Sequence, residues 1–245
     1  MPIRDSYEPG RPCWVDLGTT DPAGARSFYN ELFGWTADVD PRPEAGGYAL
    51  FRYGGHAVAG CGPIMMEGMP PVWGTYIATA DADATAAAVT GHGGTVLAGP
   101  MDVLDAGRMA FVAGPDGAAV GVWQAKAHVG ATFVTEPGGW SWNQLATRDK
   151  AASEAFYTSV FGWTLRDHPE WGEHWALGDG EIAGVMEMGA EFPPQVPPHW
   201  QVVFMVTDAD ATMAKAQGMG ASAHGPMMDM PMSGRMGALA DPQGA

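Results

Sequence analysis

The sequence predicts an α+β chain of four β-α-β-β-β modules, and three internal matches predict it. FYNELFGWT at 28–36 returns as FYTSVFGWT at 156–164, shifted by 128. WGTYIATADADATAAAVTGHGGT at 73–95 matches WQVVFMVTDADATMAKAQGMGAS at 200–222, shifted by 127. GRMAFVAGPDGA at 107–118 matches GRMGALADPQGA at 234–245. The order is therefore A, B, A′, B′, and repetition at a fixed period is the signature of a repeated supersecondary unit.

In module A, WVDLGTTD (14–21) reads as a strand running into a helix, and it matches WNQLATRD (142–149) in A′. Asp21 is placed to cap the helix N-terminus, with Pro22 at its first position. Ala25, Phe28, Leu32 and Phe33 then form one apolar stripe at helical spacing. Gly34 stops the helix, and Trp35 starts the next strand. Asp149, Ala152, Phe156, Val160 and Gly162 repeat these roles. The repeated nine-residue phrase is thus scaffold, packing helix on sheet. Each B module reads as a strand, an Ala-rich helix, a Gly-rich stop, and strands separated by turn signals such as Gly-Pro and Pro-Asp-Gly. The stretch 126–137 has no period and reads as a linker between domains at 10–125 and 138–245. Module B continues past its turn with a plausible strand, Ala119–Gln124. Module B′ reaches Ala245 where that strand is expected, which predicts either further residues or an exposed sheet edge.

Twelve Lys+Arg against 28 Asp+Glu give a net charge of −16. Such a surface repels phosphate backbones and anionic lipid, which argues against nucleic-acid or membrane partners. No apolar run approaches the roughly 18 residues of a membrane span, and the first dozen residues lack a secretory h-region, so a cytoplasmic location is expected. Cys13 and Cys61 form neither a disulfide framework nor a zinc ligand set. They flank Trp14 and Gly60 and are expected to be buried, inert and close together. Sixteen Met and ten Trp imply bulky, adaptable apolar surface.

Paired modules with a D-x₆-FY-x₃-FGW helix and a later GR…DP.G turn resemble the vicinal oxygen chelate superfamily of glyoxalase I, bleomycin-resistance proteins and extradiol dioxygenases. The resemblance covers nearly the whole chain. It implies that the four modules pair into two tandem cups, each holding a ligand inside. It also implies metal-ligand positions on the first and last strand of each module. Here those positions are Trp14, Gly60, Gly74 and Gly121 in the first cup, and Trp142, Gly184 and Gln201 in the second. Trp and Gly supply no ligand, and one neutral amide does not hold a divalent ion. No metal and no cofactor are therefore expected.

Asp16 lies two residues after Trp14 on one strand, so the two share a face. A carboxylate in an apolar cup has a raised pKa and can act as a general acid or base. Tyr76 shares a face with Gly74 and could orient a carbonyl or phenol. Asp16 and Tyr76 are the catalytic candidates. Trp14, Tyr48, His56, Trp142, Gln144 and Gln201 are the candidates for binding substrate, with Trp14 and Tyr76 as walls for a flat ligand. Tyr48 is matched with Trp175 in A′. Arg108 and Arg235, repeated within GRM, read as structural, capping a strand end or pairing with the DP.G turn. His168, Glu170, Glu173 and His174 read as a solvated rim loop. GPMMDMPMSGRM (225–236) reads either as an adaptable lid over the second cup or as a disordered or interface loop.

The expected function is metal-independent binding of a small aromatic or carbonyl compound, with isomerisation or cyclisation by acid/base chemistry. Sequestration without turnover, metal-dependent lyase or dioxygenase chemistry with shifted ligands, and a role as an interaction protein are the alternatives. A homodimer is compatible with the sequence.

Overall fold

The computed structural model describes residues 3–65, 68–169, 172–190, 192–230 and 234–245. The first module runs β1 (Pro12–Thr19), α1 (Pro22–Phe33), β2 (Thr36–Val39), β3 (Ala49–Tyr53) and β4 (His56–Pro63). The second runs β5 (Val72–Ala78), α2 (Ala82–Gly91), β6 (Thr95–Val103), β7 (Gly107–Ala113) and β8 (Ala119–Ala125). The third runs β9 (Trp140–Thr147), α3 (Lys150–Phe161), β10 (Thr164–His168), β11 (Gly172–Leu177) and β12 (Gly180–Glu187). The fourth contributes β13 (His199–Phe204), α4 (Ala209–Gly218), β14 (Ser222–Met230) and β15 (Gly234–Ala240).

Local chemistry sets the helix ends. Asp21, Asp81, Asp149 and Asp208 each accept a bond from a backbone N–H in the first turn of the following helix, satisfying an otherwise orphaned donor. Gly34 and Gly162 end α1 and α3 in the left-handed conformation that lets the chain turn away. Helix α1 buries Ala25, Phe28, Tyr29 and Leu32, with Phe33 only partly covered. Helix α3 buries Ser153, Phe156, Tyr157 and Phe161.

The first two modules join into one eight-stranded sheet, ordered β2-β3-β4-β1-β5-β8-β7-β6. The first and last strands of each module, β1 with β4 and β5 with β8, pair in parallel. The modules meet through antiparallel β1–β5. In the second half, β10-β11-β12-β9-β13 form a five-stranded sheet, while β14 and β15 form a separate hairpin. In the first half β8 bridges β5 and β7; among the described residues no strand bridges β13 and β15. The Met-rich segment is thus mostly this hairpin. Its residues 231–233 lie outside the described residues.

The repeated phrase also joins the halves. The Trp35 indole donates to the Gly138 carbonyl at 2.7 Å, and the Trp163 indole donates to the Gly10 carbonyl at 2.6 Å. The Tyr29 hydroxyl donates to Asp241 at 3.1 Å across the halves, while within each half Tyr29 and Tyr157 accept from Trp73 and Trp200 at 2.9 and 3.0 Å. Phe204 packs against Phe33, Trp35 and Trp73, and Asn143 donates to Thr75 between β9 and β5 at 2.5 Å. The two halves therefore meet on their helix-bearing sides, leaving each sheet's opposite face free to form a site.

Arg108 pairs with Asp83 and Asp102, and Arg235 with Asp210 and Asp229. Each braces a hairpin against the first turn of its module's helix, not against the DP.G turn. The two thiols are buried but not adjacent: Cys61 sits opposite Leu17, four residues along β1 from Cys13, or roughly 13 Å at strand spacing.

Candidate functional site

Strand register builds the site. Across β1 and β5, Trp14 faces Tyr76 and Asp16 faces Gly74; across β1 and β4, Asp16 faces Gly60. Tyr76 faces Gly121 of β8. Because directly opposed residues point to the same side of a sheet, these side chains converge on the face away from the helices. Two glycines make room for two tyrosine rings. A Cβ at Gly60 would collide with the Tyr48 hydroxyl, and one at Gly121 with the Tyr76 ring.

The polar centre of this face is Asp16. Tyr48 donates to its Oδ2 at 3.1 Å and Tyr76 donates to the same oxygen at 3.0 Å. The Trp14 indole donates to the Tyr48 oxygen at 3.1 Å, completing a chain from Trp14 through Tyr48 to the carboxylate. Oδ1 lies beside Gly74, 3.3 Å from where a Cβ would stand, and no described residue bonds to it. Burial pushes the Asp16 carboxyl up to about 6, against the opposing pull of the two tyrosine hydroxyls. Burial, with the neighbouring carboxylate, raises both phenols well above their ordinary value, so they remain protonated donors. Asp16 and Tyr48 are half-buried, and so retain some exposure. Partly buried Leu50 and Phe111 share the face, Phe111 tilted against Tyr76 at 5.6 Å. At the rim, Arg42 in the loop after β2 donates to Asp105 in the β6–β7 turn at 2.7 Å, linking the two modules.

Trp14, Asp16, Tyr48 and Tyr76 thus come together. His56 does not join them; it is exposed at the start of β4, 6.5 Å from the Phe133 ring. Trp14 and Tyr76 are each only 3% exposed, so they support the carboxylate rather than offer an open stacking wall. Leu50 and Phe111, by contrast, keep some exposure on this face. His128 is the residue that sequence reasoning passed over. The segment around it is pinned by Ala131 N–H to the Cys13 carbonyl and by Thr132 N–H to the Ala57 carbonyl, both at 2.8 Å. Its imidazole meets Trp14 edge-on at 4.4 Å.

The second half repeats the register with different chemistry. Gln144 takes the place of Asp16, facing Gly184 and Gln201. The Gln144 amide lies where a Gly184 Cβ would be. Trp142 is half-buried, 5.7 Å from the His174 ring, and Gln201 is exposed beside His199 at 3.2 Å. Register also corrects one correspondence. His174 faces Gly184 as Leu50 faces Gly60, so Trp175 matches the buried Phe51 and not Tyr48. Within the predicted rim cluster, Glu173 pairs with Lys150, while Glu170 lies outside the described residues.

The side chains do not fit a divalent metal of the superfamily type. Tyrosine rings cover two of the predicted ligand positions, Gly60 and Gly121. Among the described residues, no three His, Cys, Asp or Glu side chains cluster as a metal site would need. No helix among the described residues is long and apolar enough to cross a membrane.

Comparison with known proteins identifies the family. A model of the Glyoxalase/Bleomycin resistance protein/Dioxygenase superfamily matches residues 12–122 and 141–245. A Mycobacterium tuberculosis protein named "Putative glyoxylase CFP32" is 46% identical, covering 100% of this chain and 96% of its own. The "Anthracycline biosynthesis protein DnrV" of Streptomyces peucetius is 40% identical, covering 98% of this chain and 92% of its own. A Mn(II)-bound glyoxalase from Novosphingobium aromaticivorans superposes with a TM-score of 0.62 at 17% identity, over 96% of this chain and 80% of that one; this likeness concerns the fold. The chain belongs to the glyoxalase/bleomycin resistance protein/dioxygenase superfamily.

Proposed function

We propose that this member of the superfamily binds a small aromatic carbonyl compound in its first cup and moves a proton on it with Asp16, without a metal. The observation that carries the reading is the asymmetry of the Asp16 carboxylate. Two tyrosines donate to Oδ2, while Oδ1 has no bond from a described residue and sits beside Gly74. A carboxylate raised to about 6 is close enough to neutrality to take a proton and return it. Oδ1 accepts a proton from a carbon next to the ligand carbonyl; the electron pair of that C–H bond becomes a C=C bond, and the carbonyl π pair moves onto the oxygen. Asp16 then returns the proton to that oxygen or to a conjugated carbon of the enolate, whose electron pair forms the new bond, so the net change is an isomerisation. Tyr48 and Tyr76 hold the carboxylate in place, and Trp14 holds Tyr48. The aromatic character of the ligand is supported by Leu50 and Phe111 beside the carboxylate, and by relatives named for anthracycline biosynthesis. Anthracyclines are flat polycyclic carbonyl compounds.

The test is proton exchange in deuterated water. A panel of aromatic ketones is followed by NMR with the wild-type protein and with Asp16→Asn. The reading expects deuterium to enter beside the carbonyl with wild type, and Asp16→Asn to stop exchange while binding persists. Binding without exchange in the wild type would replace catalysis with sequestration. Exchange that persists in Asp16→Asn would remove the carboxylate from the chemistry.

A further inference from the structure

A cleft opens where the N-terminal segment meets the second half, and none of its lining residues belongs to the Asp16 network. Its volume is about 420 Å³, within the range of small-ligand sites. Arg4, Tyr7 and Arg11 form one wall; Trp142 at the start of β9 and Glu181 at the start of β12 stand on the other. The N-terminal wall is fixed in place. The Arg4 backbone N–H donates to the Thr132 carbonyl at 2.9 Å, and the Tyr7 hydroxyl donates to the Ala131 carbonyl at 2.6 Å. The Arg4 guanidinium lies over the Tyr7 ring, 5.4 Å from its centre. This cation–π contact positions the charge without neutralising it.

The two arginines differ in what they hold. Arg11 is paired with Glu8 at 2.6 Å. Neither the Arg4 nor the Glu181 side chain has an ion pair or a hydrogen bond among the described residues, and they do not pair with each other. In a chain with 28 acidic and 12 basic residues, a half-buried arginine without a carboxylate stands out. A space of 420 Å³ is roughly 9 Å across if round, so both charges border a volume that one small molecule fills.

We propose that this cleft binds a free α-amino acid with an apolar side chain, at a site independent of the first cup. Arg4 takes the carboxylate, for which a guanidinium offers two parallel N–H donors. Glu181 accepts from the ammonium group. A simple anion would meet like charge at Glu181 and a simple cation would meet it at Arg4, whereas a zwitterion matches both. The rest of the lining suits an apolar side chain, because Val134 and Ile182 are buried and Trp142 is half-buried.

The experiment titrates the full-length protein with L-phenylalanine, with hydrocinnamate, which lacks the ammonium group, and with phenethylamine, which lacks the carboxylate. The Trp142 indole N–H signal, assigned with Trp142→Phe, is followed by heteronuclear NMR. Wild type should bind L-phenylalanine about tenfold more tightly than either analogue, the effect of one hydrogen-bonded charge pair. Arg4→Gln should bind L-phenylalanine and phenethylamine equally. Glu181→Gln should bind L-phenylalanine and hydrocinnamate equally. Neither substitution removes a hydrogen bond of the fold, so both variants should fold. Asp16→Asn should bind L-phenylalanine as wild type does. No movement of the Trp142 signal at millimolar L-phenylalanine overturns the proposal, as does an analogue that binds as tightly as the amino acid. A preference that survives in Arg4→Gln or Glu181→Gln overturns the assigned role of that residue and the zwitterion pairing with it. Loss of binding in Asp16→Asn would move the amino acid to the first cup and overturn the separate site.

Discussion

Replacing Asp16 by Asn should make the protein more stable at neutral pH while removing its proton-transfer group. The Asp16 carboxyl rises from 3.8 in the open chain to about 6 in the fold, because burial disfavours its charged form. The folded protein therefore holds a proton between these values that the unfolded chain has released, and stability falls as pH rises through that window. The contribution of Asp16 is fully present below about 4 and lost above about 6. A rise of that size in a carboxyl pKa corresponds to roughly 3 kcal/mol, which the residual exposure of the carboxyl reduces to about 2 kcal/mol. Asn is nearly isosteric, carries no charge, and its amide oxygen can accept from Tyr48 and Tyr76. Urea unfolding of wild type and Asp16→Asn at pH 4 and pH 8 measures the effect. Asp16→Asn should gain about 2 kcal/mol relative to wild type on going from pH 4 to pH 8. An equal difference at both pH values, or a variant that loses relative stability at pH 8, would refute a raised carboxyl and with it the proposed base. A group kept at a cost to stability is expected of a functional site.

Further outcomes follow from the same geometry. Tyr76→Phe removes one of two donors to Oδ2 and should raise the Asp16 pKa by about one to two units, given the roughly 1.5–3 kcal/mol of a bond to a charged group; carboxyl-selective NMR titration reads this. Gly60→Ala places a methyl against the Tyr48 hydroxyl and should cost on the order of 2 kcal/mol, typical of overpacking, with loss of ligand binding in the same titration that reads wild type. Elemental analysis of protein purified without chelators or a metal-affinity tag should find no stoichiometric transition metal, and EDTA should leave ligand affinity unchanged; near-stoichiometric metal would overturn the metal-free reading.

Much of the fold was legible because its signals are local. Capping aspartates, left-handed glycines and helical apolar spacing repeat at fixed offsets, and each acts within one or two turns of chain. The convergence of Trp14, Asp16 and Tyr76 was legible for a similar reason, since alternation along β1 and β5 puts them on one face. Register between strands was less accessible. It decides that Tyr48 crosses Gly60, and that Trp175 stands for Phe51. His128 left no signal at all: it lies in a stretch without period, and backbone bonds of His128 to Ala106, Ala131 to Cys13 and Thr132 to Ala57 hold it against Trp14. Exposure was also invisible in the sequence, which marked Trp14 as an aromatic wall although the fold buries it.

The two halves share a scaffold and diverge in chemistry, and the difference is traceable to a short length of chain. From β1 through α1 the halves correspond at a shift of 128, but Gly60 and Gly184 correspond at 124. The first half therefore carries four more residues between its first helix and β4. They fall in the loop before β3, which delivers Tyr48 to the carboxylate and Arg42 to Asp105. In the second half the residue at the Tyr48 register is Gly172, and Gln144 folds over Gly184 with no phenol above it. A carboxylate there would lack the donors that hold Asp16, and the chain has an uncharged amide instead. The loop insertion, the tyrosine and the buried acid occur together in one half and are absent together from the other, as expected if the three serve one site.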